Sequence, residues 1–197
     1  MDEGFRRAKI AAVLLVLALS VGVAAALAET TFVDPVGDVK GGAGPDITSI
    51  SVSHTPAAVT FRLRFAKAPP LGVSASKRWV DMLIVGIDVP PRGLQRGSYG
   101  WTGMDYYVGL HGTQNTALLV KPGTAKTPRS TLLARYRVAV KGRTLSFSVS
   151  RHKLGNPAWF DFVVAAGREM SDQSAAGGGA DEAPARGAFH YLLTTPG

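Results

Sequence analysis

The stretch AVTFRLRFA, residues 58–66, alternates strictly between apolar and polar side chains. In an extended chain successive side chains point to opposite faces, so Val59, Phe61, Leu63 and Phe65 share one face and Thr60, Arg62 and Arg64 share the other. The same period returns in TLSFSVSRH (144–152), where Leu145, Phe147 and Val149 oppose Ser146, Ser148 and Ser150. It returns again in ITSISVSH (47–54), with Ile50 and Val52 against Ser49, Ser51 and Ser53. WVDMLIVGID (79–88) is a more continuous apolar run, the pattern of a strand central in a sandwich. MDYYVGLHG (104–112), ALLV (117–120), TLLARYRVAV (131–140), WFDFVVAAG (159–167) and AFHYLL (188–193) complete about nine strand candidates. Turns rich in Gly, Pro and Ser separate them. After residue 28 no apolar pattern of helical period lasts three turns. The reading is all-β, an antiparallel β-sandwich or jelly roll.

Working outward, the N-terminus has a different character. Arg6, Arg7 and Lys9 precede an uncharged apolar run from Ile10 to Ala28, and Ala26-Leu27-Ala28 offers the small-x-small pattern of a signal-peptidase site. Residues 1–28 therefore read as a signal helix, with an uncleaved anchor as the alternative. Cleavage after Ala28 leaves residues 29–197, the size of a single domain, with a secreted or extracytoplasmic destination and no membrane attachment. The chain has no cysteine, which excludes disulfides, thiolate metal sites and a cysteine nucleophile. Its formal net charge is +8, but the arginines and lysines are scattered and alternate with core residues, which argues against a nucleic-acid partner. Two segments break the strand pattern. Pro90 to Gly103 reads as a long loop, and Ser171 to Gly187, nearly devoid of large apolar groups, reads as a flexible insertion with order only near Asp181 and Pro184.

Between the signal and the first strand lies DPVGDVKGGAGPDIT, residues 34–48, where three aspartates share a segment rich in Gly and Pro. Asp34 and Asp38 bracket a Pro-Val-Gly turn that can fold both carboxylates toward one point, and Asp46 stands at the entrance to the strand. Two readings are open. Asp beside Gly or Pro is ordinary turn chemistry, since the carboxylate caps nearby backbone N–H groups. Calcium, which takes six to eight oxygen ligands from carboxylates and loop carbonyls, would use the same arrangement.

The succession DPVGD (34–38), PDITSISVS (45–53), IDVPPRG (87–93), GMDYYVGLHG (103–112), LSFSVSRHKLG (145–155), FDFVVAAG (160–167), DEAP (181–184) and FHYLL (189–193) resembles the secreted bacterial β-sandwich domains grouped as DOMON-like. Their relatives include family-9-type carbohydrate-binding modules and the C-terminal domain of glucodextranase-type enzymes. The likeness spans about Asp34 to Leu193 and rests on the order of short motifs. It implies calcium, with Asp181 brought from the late acidic loop to join Asp34, Asp38 and Asp46. It differs from the family's pattern at Pro90-Pro91 after the ID strand and at Ala185 after Pro184. It also implies a glycan or cell-wall polymer as partner, bound without chemistry by a monomer.

Sugar-binding modules stack pyranose rings on flat side chains, and Tyr99 and Trp101 lie in a Gly-rich loop with Gln95 and Arg96 near enough to meet hydroxyls; a loop folded back onto the sandwich is the other reading of the two aromatics. Trp79 and Trp159, which begin strands, read as core or rim. Some DOMON-type domains hold b-type haem through a Met and a His, so a haem electron carrier is the alternative function, drawing on Met82, Met104 and Met170 with His54, His111, His152 and His190. A purely structural or protein-interaction module is a third. No catalytic serine, zinc or phosphate-loop motif occurs, and the acidic residues Asp105, Asp161 and Glu169 show no pairing of the kind a glycosidase needs. The expectation is a non-catalytic protein.

Overall fold

The computed structural model describes residues 29–40, 45–69, 79–90, 95–97, 100–111, 115–170 and 180–193. Among these the protein is all-β, two antiparallel sheets packed face to face. The first sheet runs in the order β1 (Thr30–Val33), β2 (Ile47–His54), β3 (Ala58–Phe65), β11 (Thr144–Ser150), β10 (Ala139–Lys141). The second runs β13 (Ala180–Ala183), β12 (Trp159–Met170), β4 (Trp79–Asp88), β7 (Tyr106–His111), β8 (Thr116–Lys121), β9 (Thr131–Arg137), with β14 (Phe189–Leu192) pairing the start of β12. A two-stranded ribbon, β5 (Gln95–Gly97) and β6 (Gly100–Thr102), stands apart from both. Residues 1–28, expected from sequence as a signal segment, lie outside the described residues. No helix among those described is long and apolar enough to cross a membrane.

The alternation in β3 and β11 becomes the core directly. Phe61 and Phe147 stack with centroids 5.5 Å apart in the first sheet, and Phe61 meets Phe160 at 5.9 Å and Phe162 at 5.7 Å from the second. Their polar alternates face water, where Thr60 Oγ1 and Ser148 Oγ lie 2.8 Å apart and Arg62 pairs with Glu29. In the second sheet β4 lies between β12 and β7, with Leu83, Val85 and Ile87 buried in the core. On its outer face Met104 packs over Gly86 so closely that a Cβ there would collide with the sulfur.

Four local features refine the sequence reading. In β2 the core residues are Ile47, Ile50 and Val52, which strict alternation does not permit. The register to β3 shifts between Ile47 and Ser49, so Thr48 is the extra residue of a bulge that restores Ile47 to the core face. TLLARYRVAV, expected as one strand, is two. β9 belongs to the second sheet and β10 to the first, and the chain passes between them at buried Val138, whose N–H donates to Asn115 O at 3.0 Å. All three residues of β10 are exposed, and the buried apolar residue at the crossing is Val138 itself. The loop from Pro90 to Gly103 contains the β5–β6 ribbon. Of the expected insertion at 171–187, residues 180–183 form β13 along the edge of β12, and 171–179 lie outside the described residues.

Phe61 touches three rings from two sheets, so Phe61→Ala is expected to lower unfolding free energy by about 3–5 kcal/mol in a denaturant titration. Its neighbour Ser148→Ala, on the solvent face, is expected to change it by less than about 1 kcal/mol.

Candidate functional site

The two sheets are joined differently along their two sides. One side is crossed by the chain itself at Val138. On the other, β1 and β2 of the first sheet meet β13 of the second, and the acidic residues gather there. Asp34 follows the last residue of β1, its N–H donating to Thr48 O at 3.1 Å beside the bulge. The chain then turns away through Pro35, Val36 and Gly37, the last at φ +87°, a left-handed conformation that glycine adopts without a Cβ clash. It returns to pair Lys40 with Ala180 through backbone hydrogen bonds of 2.8 and 2.9 Å, and the Lys40 ammonium lies 3.8 Å from Glu182. Beyond Asp34 no strand continues alongside Ile47. The Ile47 N–H donates instead to Asp181 Oδ2, at 2.6 Å, across the seam between the sheets.

This geometry brings Asp34, Asp38 and Asp181 together, each offering a carboxylate oxygen within 4.8 Å of the others. Asp34 is 3% exposed and Asp181 2%, while Asp38 is partly exposed. Asp46 lies beside the group. Its Oδ2 accepts the Gly37 N–H at 3.0 Å, the turn-forming role that was the alternative for all these aspartates. Oδ2 of Asp34, Oδ1 of Asp38 and Oδ1 of Asp46 are enclosed and accept no hydrogen bond from the described residues. A buried carboxylate oxygen without a donor is costly.

The electrostatics follow from that crowding. Burial is the main cause that pushes the Asp34 carboxyl up to about 7, with the charges of Asp181, Asp38 and Asp46 adding to it. Asp181 is pushed up to about 6, again chiefly by burial and further by Asp38 and Asp46, against the opposing hydrogen bonds from the Ile47 and Glu182 N–H groups. Three convergent carboxylates with no ring nitrogen among them are a hard, all-oxygen donor set, suited to calcium or magnesium rather than to zinc. Oxygens within 4.8 Å of one another fit around one cation whose Ca–O bonds are 2.3–2.6 Å.

The other expected residues fall elsewhere. Gln95, Arg96 and Trp101 lie on the β5–β6 ribbon, where the register sets Arg96 opposite Trp101 and Gln95 opposite Thr102. Tyr99 lies outside the described residues. Of the haem candidates, His54 is buried with Nδ1 2.8 Å from Tyr191 Oη, and His190 Nδ1 lies 2.6 Å from Asp161 Oδ1. Met104 is the residue over Gly86. Sequence reasoning placed Trp159 at the core or rim. In the fold it stands on the outer face of the second sheet with its ring centroid 5.1 Å from that of His190. That contact depends on β12–β14 register, which alternation alone does not supply. No protein-family model and no curated protein matches the chain at a significant level.

Without metal, the raised carboxyls set the pH response. The folded state holds a proton on Asp34 up to about pH 7, whereas an unfolded aspartate releases it near 3.8. The folded state thus binds more protons across that window, and stability falls as pH rises through it. The thermal midpoint of metal-stripped protein is expected to fall between about pH 4 and pH 7, and Asp34→Asn, measured by the same melts, is expected to flatten that slope.

Proposed function

We propose that this chain is an exported, non-catalytic binding module of the jelly-roll, DOMON-like kind, with a calcium ion at the seam of its sandwich and a glycan as its ligand. The observation that carries the calcium reading is the convergence of Asp34, Asp38 and Asp181 around enclosed, unpartnered oxygens. Asp46 completes the charge of the site and holds the Gly37 turn that aims Asp38 inward. A divalent cation there offsets the repulsion of carboxylates the fold has already buried, so it acts as a clasp between β1–β2 and β13. Extracytoplasmic modules work at calcium levels where dissociation constants of about 10⁻⁴–10⁻³ M suffice. Glycan binding without chemistry is what the resemblance to carbohydrate-binding modules supports, and the ribbon bearing Gln95, Arg96 and Trp101 belongs to the loop that reading invokes.

The test is a melt of metal-stripped protein with and without millimolar calcium. With a dissociation constant of about 10⁻⁴ M, millimolar calcium stands at about ten times that constant and adds about 1.4 kcal/mol, which raises the midpoint by a few degrees. Asp34→Asn and Asp181→Asn are expected to abolish the rise. Asp34→Asn is also expected to raise the midpoint of the metal-free protein, because it removes a buried charge from a crowded cluster. An unchanged wild-type midpoint at millimolar calcium would refute the clasp.

A further inference from the structure

The start of β12 and the end of β14 carry a second constellation, on the outer face of the second sheet. Asp161 pairs with His190 in the β12–β14 ladder and with Asp88 on the other side, and Trp159 pairs with Leu192. Their neighbours in sequence, Phe160 and Tyr191, are buried in the core, so alternation directs Trp159, Asp161, His190 and Leu192 outward. The result is a row with three kinds of chemistry in it, in which Trp159 and Asp161 are half-buried, His190 and Leu192 are exposed, and Asp88 on the same face is buried. Trp159 supplies a broad flat ring tilted 46° against the imidazole of His190. Asp161 Oδ1 holds His190 Nδ1 at 2.6 Å, which fixes the imidazole plane and turns Nε2 away from the carboxylate. Leu192, 55% exposed, adds an apolar rim beside the indole.

We infer that Trp159, Asp161 and His190 form a binding platform for a neutral pyranose of a polysaccharide. The inference rests on the glycan reading above and gives it a surface. A sugar ring presents a C–H face, which packs on an indole, and a rim of hydroxyls that need donors and acceptors in fixed positions. The platform meets both needs. The indole is preorganised by its contact with His190, and the imidazole by its hydrogen bond to Asp161. His190 is 51% exposed at its side chain and Asp161 23%, so each keeps surface for a ligand after their mutual bond is made. The carboxylate disfavours an anionic sugar at this position, which is why the ligand class is neutral. Position in the fold strengthens the case. The segment bearing Gln95, Arg96 and Trp101 leaves the second sheet at Val89, directly after Asp88, the other cross-strand neighbour of Asp161. Platform and ribbon root therefore occupy the same end of the same sheet. The polar partners on this face are fixed by strands rather than loops, so little ordering is required when a chain binds.

The experiment is affinity electrophoresis of the calcium-loaded protein in gels containing one neutral polysaccharide each: mixed-linkage β-glucan, xylan, galactomannan or starch. Wild-type protein is expected to be retarded by at least one. Trp159→Ala is expected to weaken that retardation about tenfold or more, as for a central aromatic anchor, and His190→Ala, at an exposed position that folding tolerates, to weaken it as well. Trp159→Phe, which keeps a ring against His190, is expected to retain part of the binding. If the wild type is retarded and Trp159→Ala and His190→Ala are retarded equally, the platform is wrong and the glycan reading stands. In that outcome Trp101→Ala locates the ligand on the ribbon instead. If no neutral polysaccharide retards the wild type, while the calcium response persists, the glycan reading and the platform both fall.

Discussion

One hydrogen bond sets the character of this sandwich: the Ile47 N–H on the Asp181 carboxylate, 2.6 Å long and joining the two sheets. A strand edge normally finds its partner in another backbone. Here β1 ends one residue too early, the bulge at Thr48 has rotated Ile47 into the core, and an acidic side chain from the facing sheet takes the place of the missing strand. A carboxylate so placed must be buried, and burial is what drives its proton affinity up. Asp34 is drawn to the same spot by its own ladder bond to Thr48 and Asp38 by the turn at Gly37. The acidic cluster is thus a consequence of how the sheets are sewn together, and the cation it suits would relieve a strain that the backbone creates.

Much of this was legible in the amino-acid order and some was not, for reasons that can be named. β3 and β11 announce themselves because each buries a full face, and β4 and β12 because Leu83, Val85 and Ile87 in one and Phe160, Phe162 and Val164 in the other are buried at alternate positions. β1 and β13 do not. Three of the four residues of β1 are exposed, and β13 contributes ADEA, so both are strands only because a longer neighbour pairs them. The sheet change at Val138 is invisible to alternation, which records inward and outward but not which sheet is opposite. The aspartates of residues 34–46 stood out by composition, yet the weight of Asp181 came from resemblance, and its partner, the Ile47 amide, had no signal in sequence at all.

The same limit governs the aromatic surface. Trp159 at the head of a strand was assigned to core or rim by position alone. Its outward direction follows from Phe160 and Phe162 being inward, and its contact with His190 follows from the β12–β14 register. His190 in turn had been a candidate for structural or haem roles, and the carboxylate of Asp161 now accounts for its orientation. Pairing between strands far apart in sequence creates this kind of neighbourhood, and one-dimensional patterns carry none of it.

The crossing at Val138 has a mechanical corollary. A sandwich whose sheets are continuous in the chain along one side and held along the other by the Lys40–Ala180 bridge and the Ile47–Asp181 hydrogen bond behaves as a book with a spine and a lock. Fluctuations that part the sheets are expected to pivot about β9 and β10 and gape at β1 and β13. Amide protons near the lock should therefore exchange with solvent by a route that leaves the spine closed, and an enzyme that cuts extended chain should find its first site there. The molecule has a built-in direction of opening, fixed by topology before any ligand is considered.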